Sequence, residues 1–422
     1  MKRLRAHSIN PDFLNLWAGQ SLAVLGSQFG ALAFPLVAIM VLDVTPGELG
    51  LIYGVGGLPW LLFGLFVGVG IDRFPRRPIL IAADVARGLL IGWIPVAAFL
   101  GVLTIGQLYV VIFLVGTCSV LFETAYQSFL PSVVAREELV DASGKLAATE
   151  SVTSVAGPSI AGVVIQVTTA PVGLIVDAFS YLASAISIAR IMDRETPPSK
   201  TITQPNMLAS LRQGFFYLWN LRIVRAFMLS NATFMLFFTV VQSVVFIFYA
   251  RELDLNAGII GVIFAIGNAG SLAGAALASR IGARSGPGPS ILLGSALRAT
   301  GTAAISLAAI VPTLAIPILI IAQLVQAFGW SIWSVHQGST RQMLVADEIR
   351  GRVNGSFLFL VRGMTAIGGF LGAALADTFG VPWTLAIGAV GVLAGTLWLI
   401  PANLQAMRTL PDSPEPITIV IE

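Results

Sequence analysis

Charge is what this chain has least of. Only 11% of its 422 residues are Asp, Glu, Lys or Arg, against about 25% in an ordinary soluble domain. So few charges cannot clothe a water-facing surface around a chain that is 56% apolar. There is a single cysteine, Cys118, inside an apolar run. An intramolecular disulfide and a thiolate metal site are both excluded. The two histidines, His7 and His336, are far apart in sequence. No glycine-rich phosphate loop, metal-ligand cluster or nucleophile–base constellation is present, so neither an enzyme nor a cofactor is expected. Nor is a nucleic-acid partner. Three lysines against 21 arginines suggest a GC-rich bacterial genome.

Apolar sequence is what there is instead. A membrane-crossing helix needs roughly 20 apolar residues, so the composition has room for about a dozen. Apolar stretches bounded by charge, proline or short polar loops fall near 13–41, 50–71, 79–100, 107–129, 144–167, 171–189, 224–249, 256–279, 291–310, 317–335, 353–376 and 383–400. The fold class expected is therefore an all-α membrane protein of twelve spans. Alternate connections hold 20 of the basic residues, whereas the opposite set holds Arg251 alone. This bias places both termini, and the loop after span 2, in the cytoplasm. The basic start MKRLRAHSINPDF is read as a retained tail, because no small-residue cleavage site follows the apolar run.

The connection 190–223 is the longest, and DRETPPSKTITQPN within it is rich in proline and polar residues. It reads as a cytoplasmic linker between two six-helix bundles, 1–189 and 224–422. These halves echo each other at an offset of 211. Gly144 falls over Gly355 and Arg87 over Arg298, Gln127 lies over Gln337 one residue short of that offset, and Arg73-x3-Arg77 is echoed by Arg280-x3-Arg284. Internal repeats of this kind mark transporters. Spans 2, 5, 8 and 11 hold 20 of the 43 glycines in under a quarter of the chain. Small residues let helices approach and slide, so these four spans are expected to line a seam where two halves rock.

GIDRFPRRP (70–78) resembles the loop between the second and third helices of the major facilitator superfamily, roughly G-x-x-x-D-R-x-G-R-R. Gly68, Asp72, Arg73, Arg76 and Arg77 match it, and Pro75 stands where glycine is usual. NPDFLNLWAGQSLAVLGSQ (10–28), ETAYQSFLPSVV (123–134) and VDAFSYLASA (176–185) are similar to the branch holding the enterobactin exporter and the macrolide efflux proteins. AGPSIAG (156–162) partly resembles an antiporter motif through Gly157, Pro158 and Gly162, with Thr153 in place of its first glycine. The resemblance implies the major facilitator fold in a bacterial inner membrane. It further implies proton-driven export of an amphipathic small molecule, such as a drug or siderophore, by a monomer. It also makes the 70–78 loop a gate, with Asp72 latched near Arg350 and Arg352.

Charges inside spans are costly and functional by default. Asp84 and Arg87 share a helix face in span 3, and Glu123 lies at the level of Arg87 on antiparallel span 4. An Asp84/Arg87/Glu123 network is the expectation, with Arg87 and Glu123 in contact. Asp177 in span 6 has no cation near it in sequence and is a candidate proton carrier, and Arg298 and Arg362 complete the set. Gln20, Gln28, Asn231, Gln242, Asn268, Gln323 and Gln326 are candidates for the substrate route. An uptake or lipid-moving transporter of the same fold, or a membrane receptor or partner subunit without transport, is compatible with the same residues.

Overall fold

The computed structural model describes residues 10–71, 74–135, 138–192, 207–346 and 349–409, and these are helical with no strand. Six long helices come first: α1 (Pro11–Met40), α2 (Pro46–Ile71), α3 (Arg76–Phe99), α4 (Ile105–Val133), α5 (Leu139–Val167) and α6 (Ala170–Ala189). A shorter helix follows, α7 (Met207–Asn220). Next are α8 (Arg222–Ile247), which runs into a π-helical turn at Phe248–Glu252, and α9 (Ala257–Ser285). Last come α10 (Pro287–Ala304), the single turn α11 (Leu307–Ile310), α12 (Ala315–Leu344) and α13 (Arg350–Leu397).

The breaks between helices follow local chemistry. Thr104 opens α4 with a capping box, its hydroxyl accepting from the Gln107 amide. Asn256 accepts from the Ile259 amide and opens α9. Gly286 (φ 89°) separates α9 from α10, and Gly380 (φ 79°) folds α13 into two limbs. Both need a left-handed backbone that side chains resist. Nine helical segments among the described residues are long and apolar enough to cross a membrane. That differs from the twelve expected for three reasons: α2 and α5 do not enter that set, and the two limbs of α13 count once. Within the expected linker, residues 207–220 form α7, which packs on α13 and α8. Its Tyr217 and Leu218 are buried there, which a reading by polarity and proline missed.

α1 packs on α5 and α6, α3 on α4 and α6, and α2 on α4; α13 packs on α8 and α10, and α12 on α9 and α10. The two sets meet along α2/α13 and α5/α9. They meet unevenly. At the end away from the basic loops one apolar core joins both sets, running from Leu36 and Ile165 to Val244, Ile260 and Ala376. At the basic end the core is split. One cluster holds Phe13, Phe129 and Ile188, and a separate one holds Leu218, Leu344 and Val353.

The seam depends on glycine. A Cβ on Gly369 of α13 would lie 2.5 Å from the Gly54 Cα of α2, and one on Gly162 of α5 would lie 3.0 Å from the Gly261 Cα of α9. Neither pair of helices could approach so closely with side chains between them. Toward the basic end the same helices have room. A Cβ at Gly144 or Gly355, a pair at the 211 offset, would meet nothing within 4 Å.

Candidate functional site

Three groups of polar residues lie within or beside the helices. The first is a buried charge cluster between α3, α4 and α6. Asp84 and Arg87 form an ion pair one turn apart, as expected, and are almost fully enclosed. The Arg87 guanidinium sits 4.3 Å from the centroid of Phe122 and 4.4 Å from that of Tyr181. Asp177, one turn before Tyr181 on α6, is buried against Gly30 of α1, and its Oδ1 has no hydrogen-bond partner.

Glu123 is not part of this cluster. Its partner is Arg362 of α13, at 3.5 Å, which lies 4.7 Å over the Trp60 ring of α2. The expectation that Glu123 contacts Arg87 is therefore corrected. Arg87 is turned inward onto Asp84, whereas the half-exposed Glu123 meets Arg362 of the other set of helices. Depth along a helix fixes level but not azimuth.

The second group lies across the offset of 211. Arg298 on α10 is 1% exposed. Its guanidinium is 4.1 Å from the Phe234 centroid, 5.6 Å from Trp330 and 3.9 Å from Trp333, and it donates to Asn231 Oδ1 at 3.0 Å. Trp333 is the equivalent of Phe122, and Asn231 of Gln20, whose Nε2 is buried without a partner. Ser295 stands where the first set has Asp84. The aromatic cover of both arginines was missed from the sequence, although the register that aligns the arginines also aligns Phe122 with Trp333.

The third group is a cavity of about 370 Å³ between α8, α9, α12 and one point on α5. Gln242, Asn268, Gln323 and Gln326, four of the seven residues expected on the substrate route, line it together with Phe234 and Trp330. Asn268 also donates to the Ser154 carbonyl at 2.6 Å, tying α9 to α5. The size suits a small organic molecule. Of the other three, Asn231 lies behind the cavity on Arg298, Gln20 lies on α1 away from the cavity lining, and Gln28 packs against Gly157, where a Cβ would lie 2.5 Å from its Cγ.

The motif residues have definite places. Gly157, Pro158 and Gly162 lie on α5, and the last two meet α9 at Gly261. Gly68 lies in α2, and Asp72 and Arg73 lie outside the described residues. Arg77 donates to the carbonyls of Ile188, at 3.2 Å, and Ala189 at the end of α6, where a cation is favoured by the helix dipole. Arg76 heads α3. Arg350 reaches the Val345 carbonyl at 3.4 Å, and Arg352 donates to Gln213 of α7.

One residue at the far end gained a role unseen in the sequence. Arg251, the sole basic residue assigned to that side, bonds across the sets to Asp43 Oδ1 at 2.5 Å and to the carbonyls of Val44 at 2.9 Å and Ile39 at 3.4 Å. Asp43 (φ 49°) and Asp254 (φ 51°) are left-handed at positions 211 apart.

Comparison with known proteins agrees with this architecture. The chain is 24% identical to the multidrug efflux pump Tap of Mycobacterium tuberculosis, over 98% of its own length and 97% of that protein's. It is 22% identical to macrolide efflux protein A of Streptococcus pyogenes over 48% of its length and 50% of that protein's. Among solved structures, a variant of the nucleoside transporter NupG superposes with a TM-score of 0.78 at 12% identity, covering 93% of this chain and all of the other. A bacterial ferroportin homologue in its inward-facing state gives 0.75 at 18% identity, over 94% of this chain and all of the other. The profile of the family described as transmembrane secretion effector matches residues 8–416. The chain belongs to that family, and through it to the major facilitator superfamily of membrane transporters.

Proposed function

We propose that this protein is a proton-coupled exporter of amphipathic small molecules that works by alternating access in a bacterial plasma membrane. The observation that carries the reading is the amide- and ring-lined cavity between α8, α9 and α12, beside a seam packed tightly at the end away from the basic loops. The full-length similarity to an efflux pump supports the direction of transport. Twelve crossings follow if α2, α5 and both limbs of α13 span. The basic end then faces the cytoplasm, in keeping with the charge bias, and residues 1–189 and 224–422 move as two bodies joined by 190–223. In that orientation the close-packed end of the seam is the outer one.

In proteoliposomes the protein is expected to concentrate cargo only under an imposed pH gradient. Transport that ignores the gradient would remove the coupling. Within the coupled reading, Asp177 is the proton carrier and Glu123 the second carboxylate. Asp177 is buried and has an oxygen without a partner, whereas Glu123 exchanges Arg362 for water as the halves part. Asp177→Asn should reduce gradient-driven transport at least tenfold while leaving cargo binding intact. Glu123→Gln should reduce it less. Full gradient-driven transport in both variants would assign the proton elsewhere.

Arg251 is read as an outer clasp, since its three bonds exist only while the outer ends are together. Arg251→Gln should shift the population toward the outward-open form by a few-fold, as expected of a half-exposed contact of ~1 kcal/mol. Labelling of an outer-seam cysteine by an impermeant maleimide, in a Cys118→Ser background, reads the shift. No change in labelling would leave Arg251 without that role.

A further inference from the structure

The cavity's polar groups are amides and hydroxyls, and none of its lining residues carries a charge. Yet a full cation lies just behind its wall. Phe234 and Trp330 line the cavity, and both cover the Arg298 guanidinium. Among the described residues Arg298 has no carboxylate partner, and its Nε and one terminal nitrogen make no hydrogen bond. In the first half Asp84 neutralises Arg87, and at the equivalent place here there is only Ser295. Among acids of the first set, Glu123 is held by Arg362, and Glu150 is one turn from Ser154 on α5.

A ring lying against a cation has its π-electrons drawn toward that cation, so its other face is a poorer seat for a second cation. The field of an unpaired charge also reaches through one aromatic layer. At roughly 8 Å and an effective dielectric of about 20, it discriminates between opposite unit charges by well over tenfold. We infer that this cavity selects a planar aromatic anion, bound by side-chain amides between rings, over the equivalent cation. Arg298 sets that preference from behind the wall without touching the cargo. The inference rests on the reading of this cavity as the cargo site and names the charge class that the site takes.

Two tricyclic dyes of similar size test it: resorufin, an anion at pH 8, and thionin, a cation. Binding is measured to purified protein in phosphatidylcholine nanodiscs, where the lipid has no net charge to bias either dye. Resorufin should bind at least tenfold more tightly than thionin. Arg298→Lys should keep that preference, Arg298→Gln should cut it to within about threefold, and Gln326→Leu should weaken resorufin without changing the preference. If Arg298→Gln does not fold, the wild-type comparison and Gln326→Leu still decide. Thionin binding as tightly as resorufin, with Gln326→Leu weakening both, overturns the charge preference and leaves the cargo site standing. Binding of neither dye, or resorufin binding untouched by Gln326→Leu, overturns the inference together with the cargo site.

Discussion

Gly369→Val should abolish transport and trap the protein outward-open. The added Cβ would fall 2.5 Å from the Gly54 Cα, and the atoms it meets are backbone, which no rotamer change can move aside. Overpacking in a close-packed interior costs about 1–3 kcal/mol, and more where the neighbour cannot yield. The whole cost falls on the form with its outer ends closed, because in the other form α2 and α13 separate there. Each 1.4 kcal/mol shifts the population about tenfold, so the outer-closed form should become a minor species. The check is a single cysteine at Ala373, which faces Gly50 across the same seam, in a Cys118→Ser background. Impermeant maleimide added from outside should label it far faster in the valine variant than in the parent. Parental labelling with parental transport would mean that the outer seam never opens, and the rocking mechanism would fall.

Asp84→Ala should cost about 3–5 kcal/mol of stability, the scale expected when one partner of a buried ion pair is removed. Asp84 is fully buried and Arg87 nearly so, and without its ion pair the guanidinium would lie between the Phe122 and Tyr181 rings, with Asp177 the remaining acid of the cluster. The second half shows what an unpaired arginine requires in this fold: three rings and the Asn231 oxygen. Gln20, at the place of Asn231, makes no such bond to Arg87. The paired replacement Asp84→Leu with Arg87→Met should recover most of the loss, since apolar substitutes for a buried pair are often neutral or better. Thermal unfolding in detergent measures both. A single variant that melts with the parent would show that the pair is not structural.

Much of this was legible in the sequence because the membrane simplifies the code. Apolar runs gave the helices, and the offset of 211 aligned Arg87 with Arg298 before any coordinates did. Glycine enrichment marked the helices that meet in the seam, and Gly54, Gly162, Gly261 and Gly369 are where they touch. Four of the seven polar candidates gathered in one cavity. What could not be read was rotation about helix axes. Depth put Arg87 level with Glu123, but Arg87 turns toward Tyr181 of α6 and Glu123 pairs with Arg362. Arg251 was noticed solely as an exception to a charge count, because its partners are backbone carbonyls and an aspartate two hundred residues away. α7 was hidden by the proline-rich stretch that precedes it.

The buried charge cluster and the amide-lined cavity do not share a half. Asp84, Arg87 and Asp177 belong to α3 and α6, whereas the amides and rings belong to α8, α9 and α12, with α5 touching at Ser154 alone. On the proposed function, energy supply and chemical taste would be written in separate stretches of one gene. Residues 234–330 could then be revised piece by piece while the coupling machinery stays intact, and recombination near the middle of the chain would exchange one without disturbing the other.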